Sequence, residues 1–216
     1  MASTAMSMSG TRVVVFLDYQ NAWHTTRALF VPATSPSWHG HVHPDRLGEL
    51  LCRRGDAVDS RRWLAEVRVY RGQPGPRSSG RLRSAFGRQT AHWAGLDGVS
   101  VHTRPMRYWP DGRTNDGRQR WRAEEKGVDV LLALHLALGA RDDLYDVAVV
   151  VSADTDLLPA IEEAVRLGKR VETATWWAPP QPQRALRIPG RSLWNHYLDA
   201  GDFDAVRDDT DYLALP

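Results

Sequence analysis

Apolar residues form two unbroken runs along this chain, and both runs stop abruptly at acids. Residues 147–151 read Val-Ala-Val-Val-Val and lead into Asp154 and Asp156, while the run at 12–17 ends at Asp18. Short, continuous, β-branched runs are typical of strands buried on both faces of a parallel sheet. Because open α/β sheets bind ligands at the carboxyl ends of their strands, these acids mark a candidate site.

Segments with helical spacing alternate with the strand-like segments. The pattern predicts strands over 12–17, 64–70, 99–103, 147–151 and 170–175, and helices over 22–30, 44–54, 81–94, 124–140, 157–168 and 193–199. Such alternation indicates an α/β domain with three layers, in which helices cover both faces of a parallel central sheet. Residues 104–122 fit neither pattern, and we expect a polar excursion there that binding could order.

Length and composition are those of one domain. The 216 residues suffice for a single core, and we predict a disordered leader over 1–10, the domain over 11–200 and an acidic tail over 201–216. No stretch approaches the ~20 apolar residues of a membrane span, and the leader lacks the apolar centre of a signal peptide. Cys52 is the sole cysteine, which excludes an internal disulfide and a cysteine-based zinc site. We expect a cytoplasmic protein with no membrane partner.

Charge is unevenly distributed although the net charge is only +2. Residues 71–122 hold eleven arginines against three aspartates, which is the footprint of a phosphate-rich partner. The candidate phosphate contacts are Arg88, Arg118, Arg120 and Arg122. Tryptophans in the same region could stack bases or could belong to the core; they are Trp93, Trp109 and Trp121. Six aspartates within 199–211 predict a solvated tail, with a phosphate mimic that covers the basic surface as the alternative.

A fourth acid, Asp129, heads the apolar face of the helix predicted over 124–140. From the start of that helix it can reach the sheet edge where Asp18, Asp154 and Asp156 project. Four carboxylates offer only oxygen ligands, which suit Mg²⁺ or Mn²⁺. The alternatives are that the four are unrelated surface residues, or that Asp154 or Asp156 caps the following helix.

Three short blocks of the sequence resemble the signature blocks of NYN-domain proteins, which belong to the wider PIN-like nuclease superfamily. The blocks are Phe-Leu-Asp-Tyr-Gln-Asn at 16–21, Glu-Lys-Gly-Val-Asp-Val at 125–130 and Ser-Ala-Asp-Thr-Asp-Leu at 152–157. Arg88-Gln89 and the stretch 167–171 also fit, and the likeness spans residues 12–200. Three blocks in the family's order are more specific than any one of them.

The resemblance implies a PIN-like fold and a metal-dependent ribonuclease. Four residues match the family's acidic positions and would serve as catalytic residues and metal ligands: Asp18, Asp129, Asp154 and Asp156. Asn21 matches the asparagine beside the first acid, and it could hold a carboxylate through its amide or cap the next helix. Lys126 could bind phosphate or lie in solvent. Ser152 and Thr155 could donate to the acids or to substrate, with capping as the alternative for Thr155.

The chain departs from the family pattern at a few positions. Tyr19-Gln20 stands where glycine and a hydrophobic or aromatic residue are commoner, and Ala153 stands where glycine or asparagine is usual. His135 lies where many relatives carry a further aspartate, and a histidine in an apolar helix is more often a core residue than a ligand. None of these changes affects the four principal acids.

The sequence therefore predicts an Mg²⁺- or Mn²⁺-dependent endoribonuclease whose partner is single-stranded or structured RNA, and it leaves a homodimer open. One rival is a haloacid-dehalogenase-like phosphatase, because Asp154-Thr155-Asp156 resembles the acid pair of those enzymes. That pair normally follows the first strand, whereas here it lies late in the chain. The other rival is an inactive RNA-binding or regulatory module, although RNA binding alone gains nothing from clustered acids.

Overall fold

The architecture is a parallel sheet between two layers of helices, seen in a computed structural model that describes residues 10–114, 116–181 and 185–215. The strands are β1 (Thr11–Asp18), β2 (Arg62–Gln73), β3 (Val99–Pro105), β4 (Arg107–Arg113), β5 (Gln119–Glu124), β6 (Val147–Val151), β7 (Arg170–Trp176) and β8 (Trp194–Leu198). The α-helices are α1 (Tyr19–Phe30), α2 (Pro44–Arg54), α3 (Gly80–Ala94), α4 (Val128–Arg141), α5 (Leu158–Arg166) and α6 (Ala200–Val206). Six strands form the sheet in the order β3-β2-β1-β6-β7-β8, and every neighbouring pair is parallel. The predicted three-layer α/β class is confirmed.

The two central strands, β1 and β6, are buried on both faces, as their continuous apolar runs predict. Alternate residues of β1 face opposite layers: Val15 and Leu17 belong to one core, and Phe16 belongs to the other. The first core lies under α1, α2, α3 and α6, and the second lies under α4 and α5. Each fully buried side chain of this size contributes about 1.5–3 kcal/mol to folding.

Residues 104–122 are the first difference from the sequence prediction. They contain β4 and most of β5, which pair as an antiparallel hairpin outside the main sheet. Most hairpin side chains are exposed, so the sequence lacks the alternation of apolar and polar residues that predicts a strand. The hairpin is attached through Tyr108, whose hydroxyl accepts from the backbone N–H of Gly75 (2.7 Å) and bonds the Ser78 hydroxyl (2.6 Å).

Two predicted helices also need correction. The segment 193–199 is the edge strand β8, which pairs in parallel with β7, and Asp199 is the N-cap of the helix that follows. The helix predicted to begin at 124 begins at Val128, because Gly127 takes a left-handed backbone conformation (φ 75°) that ends the preceding loop. Alternation in β8 was too short to distinguish it from a helical turn.

The predicted solvated tail is packed against the domain instead. Val206 and Tyr212 are buried, and the Asp208 carboxylate accepts from Trp93 Nε1 (3.3 Å) and from the Tyr212 hydroxyl (2.8 Å). Arg88 donates to the backbone carbonyl of Tyr212 at 2.7 Å. The aspartates of this segment therefore serve as helix caps and buried acceptors as well as surface charges. None of the helices within the described ranges is both long and apolar enough to cross a membrane.

Candidate acidic active site

The register between the two central strands brings the first acids together. Leu17 of β1 pairs with Val151 of β6, so the residues that follow each strand leave the sheet side by side. Asp18 ends β1 and caps α1, while Asp154 caps the short 3₁₀ turn at Thr155–Leu157. Both carboxylates are thus held at the carboxyl edge of the sheet, where parallel α/β domains place their ligands.

Hydrogen bonds between the two strand ends hold the Asp18 carboxylate. One oxygen accepts from the Ser152 hydroxyl (2.9 Å), and the other accepts from the backbone N–H of Asn21 (3.2 Å). The same Ser152 hydroxyl accepts from the backbone N–H of Asp154 (3.1 Å), and the Asn21 side-chain oxygen accepts from the N–H of Ala153 (3.3 Å). Ser152 and Asn21 therefore position the acids, and the Ser152 hydroxyl is already occupied by protein groups.

The acids repel one another. Burial raises the pKa of Asp18, and the charges of Asp154 and Asp129 raise it further, although the bonds from Asn21 and Ser152 oppose the change. An elevated carboxyl pKa at this edge means that ionising the site costs free energy, which a bound cation or a proton can offset.

The acids line one open cleft of about 480 Å³. Asp129 enters it from the first turn of α4, and Lys126, which is exposed and 3.5 Å from Glu124, lies on its rim. The complete lining is Asp18, Gln20, Asn21, His24, Glu125, Lys126, Gly127, Val128, Asp129, Val130 and Asp154. The cleft thus collects acids from three segments that are distant in sequence.

Glu125 is a fifth acid that the sequence reasoning did not assign to the site. Its carboxylate accepts from the backbone N–H of Gly72 at 2.5 Å and from the Gln20 amide at 2.6 Å, once that amide is oriented to donate. Burial raises its pKa, and Asp18 and Asp129 add to the effect. A Cβ at Gly72 would lie 2.6 Å from this carboxylate, so only glycine allows the approach. The signal was available, because Glu125 opens the second family-like block.

Asp156 and Thr155 lie outside the cleft. Both are exposed in the turn after β6. The backbone N–H of Asp156 donates to Asp154 Oδ1 at 2.9 Å, which is the capping arrangement that the sequence left open. Across the described ranges, no three His, Cys, Asp or Glu side chains converge closely enough to hold a metal ion as they stand.

Of the four arginines predicted to contact phosphate, one is bonded within the protein and three are exposed on the hairpin. Arg88 bonds the C-terminal segment, as described above, and is not free for substrate. Arg118 and Arg120 are exposed on the hairpin and make surface pairs with Asp116 (3.3 Å) and Asp111 (3.1 Å). Such exposed pairs are weak, about 0–1 kcal/mol, so substrate phosphates can compete for these arginines. Arg122 is exposed on β5.

The structure also shows where the three candidate tryptophans and His135 lie. Trp93 is fully buried in the core, which is one of the two roles that the sequence left open for it. Trp109 is half-exposed on the hairpin, whereas Trp121 is covered by the Arg77 guanidinium 3.4 Å from its ring centre. His135 bonds the Tyr70 hydroxyl through Nδ1 (3.0 Å) and does not line the cleft, in accord with a satisfied packing residue.

A parallel sheet with acids at the carboxyl ends of its central strands is the architecture of PIN-like, nuclease-type domains. Residues 12–187 match the NYN domain family, and the chain belongs to that family. A solved structure of a protein of unknown function from Vibrio parahaemolyticus is also similar, with a TM-score of 0.45 and 17% identity over 81% of this chain and 85% of that one. No match was found among curated proteins.

Proposed function

We propose that this NYN domain is a metal-dependent endoribonuclease that hydrolyses phosphodiester bonds in single-stranded RNA. The observation that carries the proposal is the acidic cleft, where Asp18, Asp129 and Asp154 meet at one sheet edge with mutually unfavourable charge. Binding nucleic acid does not require such a cluster, because concentrated negative charge repels phosphate. A catalytic cation accounts for it.

The donor chemistry of the cleft fits Mg²⁺ or Mn²⁺, since carboxylate oxygens are the ligands that these ions prefer. Asp18, Asp129 and Asp154 would hold the ion, and Glu125 supplies further negative charge beside them. Because the carboxylates of the described residues are not assembled at ligand distances, cation binding must draw them together. When bound, the ion would supply Lewis-acid activation of water and would neutralise charge on the phosphate. Asp156 is proposed to contribute from the rim.

The chain's own residues would perform the other tasks. Ser152 and Asn21 orient the acids through the bonds described above. Lys126 on the rim is placed to attract the phosphate, and Thr155 is exposed beside Asp154 where substrate would pass. The exposed arginines of the hairpin would hold the RNA backbone without reading its sequence, as phosphate contacts generally do.

The phosphatase alternative has no support in the geometry. Asp154 follows β6 rather than the first strand, and Asp156 lies outside the cleft instead of beside Asp154 within it. The tandem acids therefore do not form the nucleophile and acid pair that such an enzyme needs.

The direct test incubates the purified protein with end-labelled RNA and DNA in Mg²⁺, in Mn²⁺ and in chelator. We expect internal cleavage of RNA that requires the divalent ion and is abolished in Asp154→Asn. Asp97→Asn is the matched control, because Asp97 lies before the amino end of β3, at the opposite edge of the sheet. Cleavage that persists in chelator, or in Asp154→Asn at the wild-type rate, would contradict the proposal.

A further inference from the structure

A second cavity adjoins the acidic cleft on the side of α1 and α3. Its main part has a volume of about 340 Å³ and its smaller part about 200 Å³, and Trp23, His41 and Arg71 line both. Gln20 and Glu125 line the smaller part and the acidic cleft alike. The three spaces therefore adjoin, and a nucleotide whose phosphate lies at the acids could extend its base into this cavity.

The cavity walls are largely aromatic. Trp23, Trp38 and Phe86 line the main part and are all partly exposed, and Tyr19 lines the smaller part. Flat aromatic faces at the edge of a nucleic-acid site are stacking platforms for bases, each worth roughly 1–3 kcal/mol per base. Unlike the buried rings of Trp93 and Tyr19, the rings of Trp23, Trp38 and Phe86 are therefore open to a ligand.

Arg71 lines both parts of this cavity. It lies over the rings of Tyr19 (4.8 Å), Phe86 (4.5 Å) and Trp93 (5.3 Å) and donates to Gln89 Oε1 at 2.6 Å. Burial lowers its pKa, although the nearby charge of Glu125 opposes that change. A guanidinium has five N–H donors, so several remain for a ligand that presents acceptors.

The neighbouring polar side chains also present donors. Gln89 is only 3% exposed, its oxygen is used by Arg71, and its Nε2 has no hydrogen-bond partner among the described residues. The Tyr19 hydroxyl lies 2.6 Å from His41 Nδ1. Burial lowers the pKa of His41 to about 4, so its imidazole is neutral and carries a single N–H.

We infer that this cavity is a base pocket for the nucleotide beside the cleaved phosphate and that it selects guanine. The inference rests on the proposed action on RNA. Guanine presents two adjacent acceptors, N7 and O6, which arginine reads in bidentate fashion. Adenine and cytosine place an amino donor on the corresponding edge, where it would face the donors of Arg71 and Gln89, and uracil offers a single carbonyl there.

The first test measures equilibrium binding of GMP, AMP, UMP and CMP to the full chain without added metal, by quenching of tryptophan fluorescence. We expect GMP to bind at least about tenfold more tightly than AMP, within the discrimination that one bidentate pair provides. IMP keeps N7 and O6 and should bind like GMP, whereas 7-deaza-GMP lacks the N7 acceptor and should lose most of the preference. Equal affinities for the four nucleotides, or full affinity for 7-deaza-GMP, would overturn the inference.

The second test reverses the preference with Gln89→Glu. The new carboxylate still accepts from Arg71 but replaces the free donor by an acceptor, so the preference should move from GMP toward AMP. Gln73→Glu, an exposed change two residues from Arg71 on the same strand, should leave the GMP preference intact. Unchanged GMP selectivity in Gln89→Glu would contradict the proposed guanine pocket. If that variant does not fold, the comparison of GMP with 7-deaza-GMP on the unmodified chain tests the same proposal.

These outcomes separate the pocket from the proposed function. Guanine-selective binding without any metal-dependent RNA cleavage would sustain the pocket and remove the nuclease. Metal-dependent cleavage without base selectivity would sustain the nuclease and remove the base pocket. Arg71 would then serve only to hold the aromatic cluster of Tyr19, Phe86 and Trp93.

Discussion

Arg62 and Glu172 form an ion pair that is fully buried within the domain, with 3.1 Å between Nη1 and Oε1. Arg62 begins β2 and Glu172 lies on β7, two strands beyond the central β1, so the pair links opposite halves of the sheet. His196 and Arg170 bond the same carboxylate at 2.9 and 2.6 Å. Three side chains from three strands therefore converge on this one glutamate.

Glu172→Gln is expected to destabilise the fold by about 3–5 kcal/mol, because it leaves the Arg62 charge buried and uncompensated. Urea unfolding monitored by circular dichroism measures this. Glu49→Gln is the control, since Glu49 belongs to an exposed pair with Arg53 and should cost about 0.5 kcal/mol or less. Similar losses for the two variants would show that burial adds nothing to this pair.

Acid should weaken the fold partly through the same carboxylate. Burial alone would raise the pKa of Glu172, but the bonds from His196 and Arg62 more than offset burial and hold its pKa below the ordinary value. Its contribution to stability is therefore complete above the unfolded pKa of about 4.3 and is lost as pH falls through the lower folded pKa. The free energy of unfolding of Glu172→Gln should accordingly depend less on pH below about 4 than that of the wild type. Parallel curves would contradict this assignment.

Ser152→Ala should impair the acidic site while leaving the fold intact. The change removes the hydrogen bond to Asp18 and the acceptor for the Asp154 N–H, so the two acids lose their common support. We expect Mn²⁺ affinity to fall roughly tenfold, the lower end of what supporting partners of metal ligands contribute. Calorimetric titration measures it, and Ser60→Ala, an exposed change, is the control. Ser152→Thr should recover part of the affinity, and an unaltered affinity in Ser152→Ala would exclude the positioning role.

Asp129→Asn should shift the pH dependence of Mn²⁺ binding. The pKa of Asp18 is raised by burial and by the charges of Asp154 and Asp129, so protons compete with the metal above the usual carboxyl range. In the variant the metal should bind more weakly, because one ligand is lost. The pH at which half of the maximal Mn²⁺ binding is reached should nevertheless fall, because one negative charge that raises the pKa of Asp18 has gone. Titrations from about pH 4 to pH 8 measure both, a range that spans the usual carboxyl pKa and the region above it. A midpoint that does not move would mean that the two carboxylates do not interact.

Neutralising Arg118, Arg120 and Arg122 together should weaken RNA binding across sequences. In single-stranded RNA, each phosphate that is no longer neutralised by an arginine reduces the salt slope of log K by about 0.7. Fluorescence anisotropy of a labelled RNA between low and high salt gives that slope. The control neutralises Arg53, Arg61 and Arg141, which are exposed elsewhere on the domain. A slope equal to that of the wild type would assign the hairpin arginines to their pairs with Asp111 and Asp116.

Deleting residues 205–216 should destabilise the protein. A tail that masks a basic surface would tighten RNA binding at low salt when removed, but this segment buries Val206, Asp208 and Tyr212. Removing two buried apolar side chains alone costs about 3–6 kcal/mol. Thermal unfolding of the truncated chain measures the effect, and a full-length Asp204→Asn/Asp209→Asn variant, changed only at exposed positions, is the control. An unchanged melting temperature after truncation would show that the packing is dispensable.

Sequence reasoning succeeded where one physical signal dominates. Continuous apolar runs located β1 and β6, and the acids after them predicted which edge of the sheet carries the cleft. It failed at the hairpin, because exposed strands carry no hydrophobic alternation. It also failed at β8, because five residues are too few to distinguish the two-residue repeat of a strand from the 3.6-residue repeat of a helix. The burial of Asp208 depends on Trp93 and Tyr212, which no local sequence pattern connects to it.

The pairing of Leu17 with Val151 has a consequence for how accurately the acidic cleft is built. Side chains alternate between the two cores, so a slip of one residue between β1 and β6 would turn every valine of β6 into the wrong layer. The cores forbid that slip, and the same restraint keeps Ser152 within reach of Asp18. Apolar residues that take no part in the chemistry thus determine how accurately the acids are positioned. We expect changes of side-chain volume at Val149 or Val151 to reduce activity before they unfold the domain.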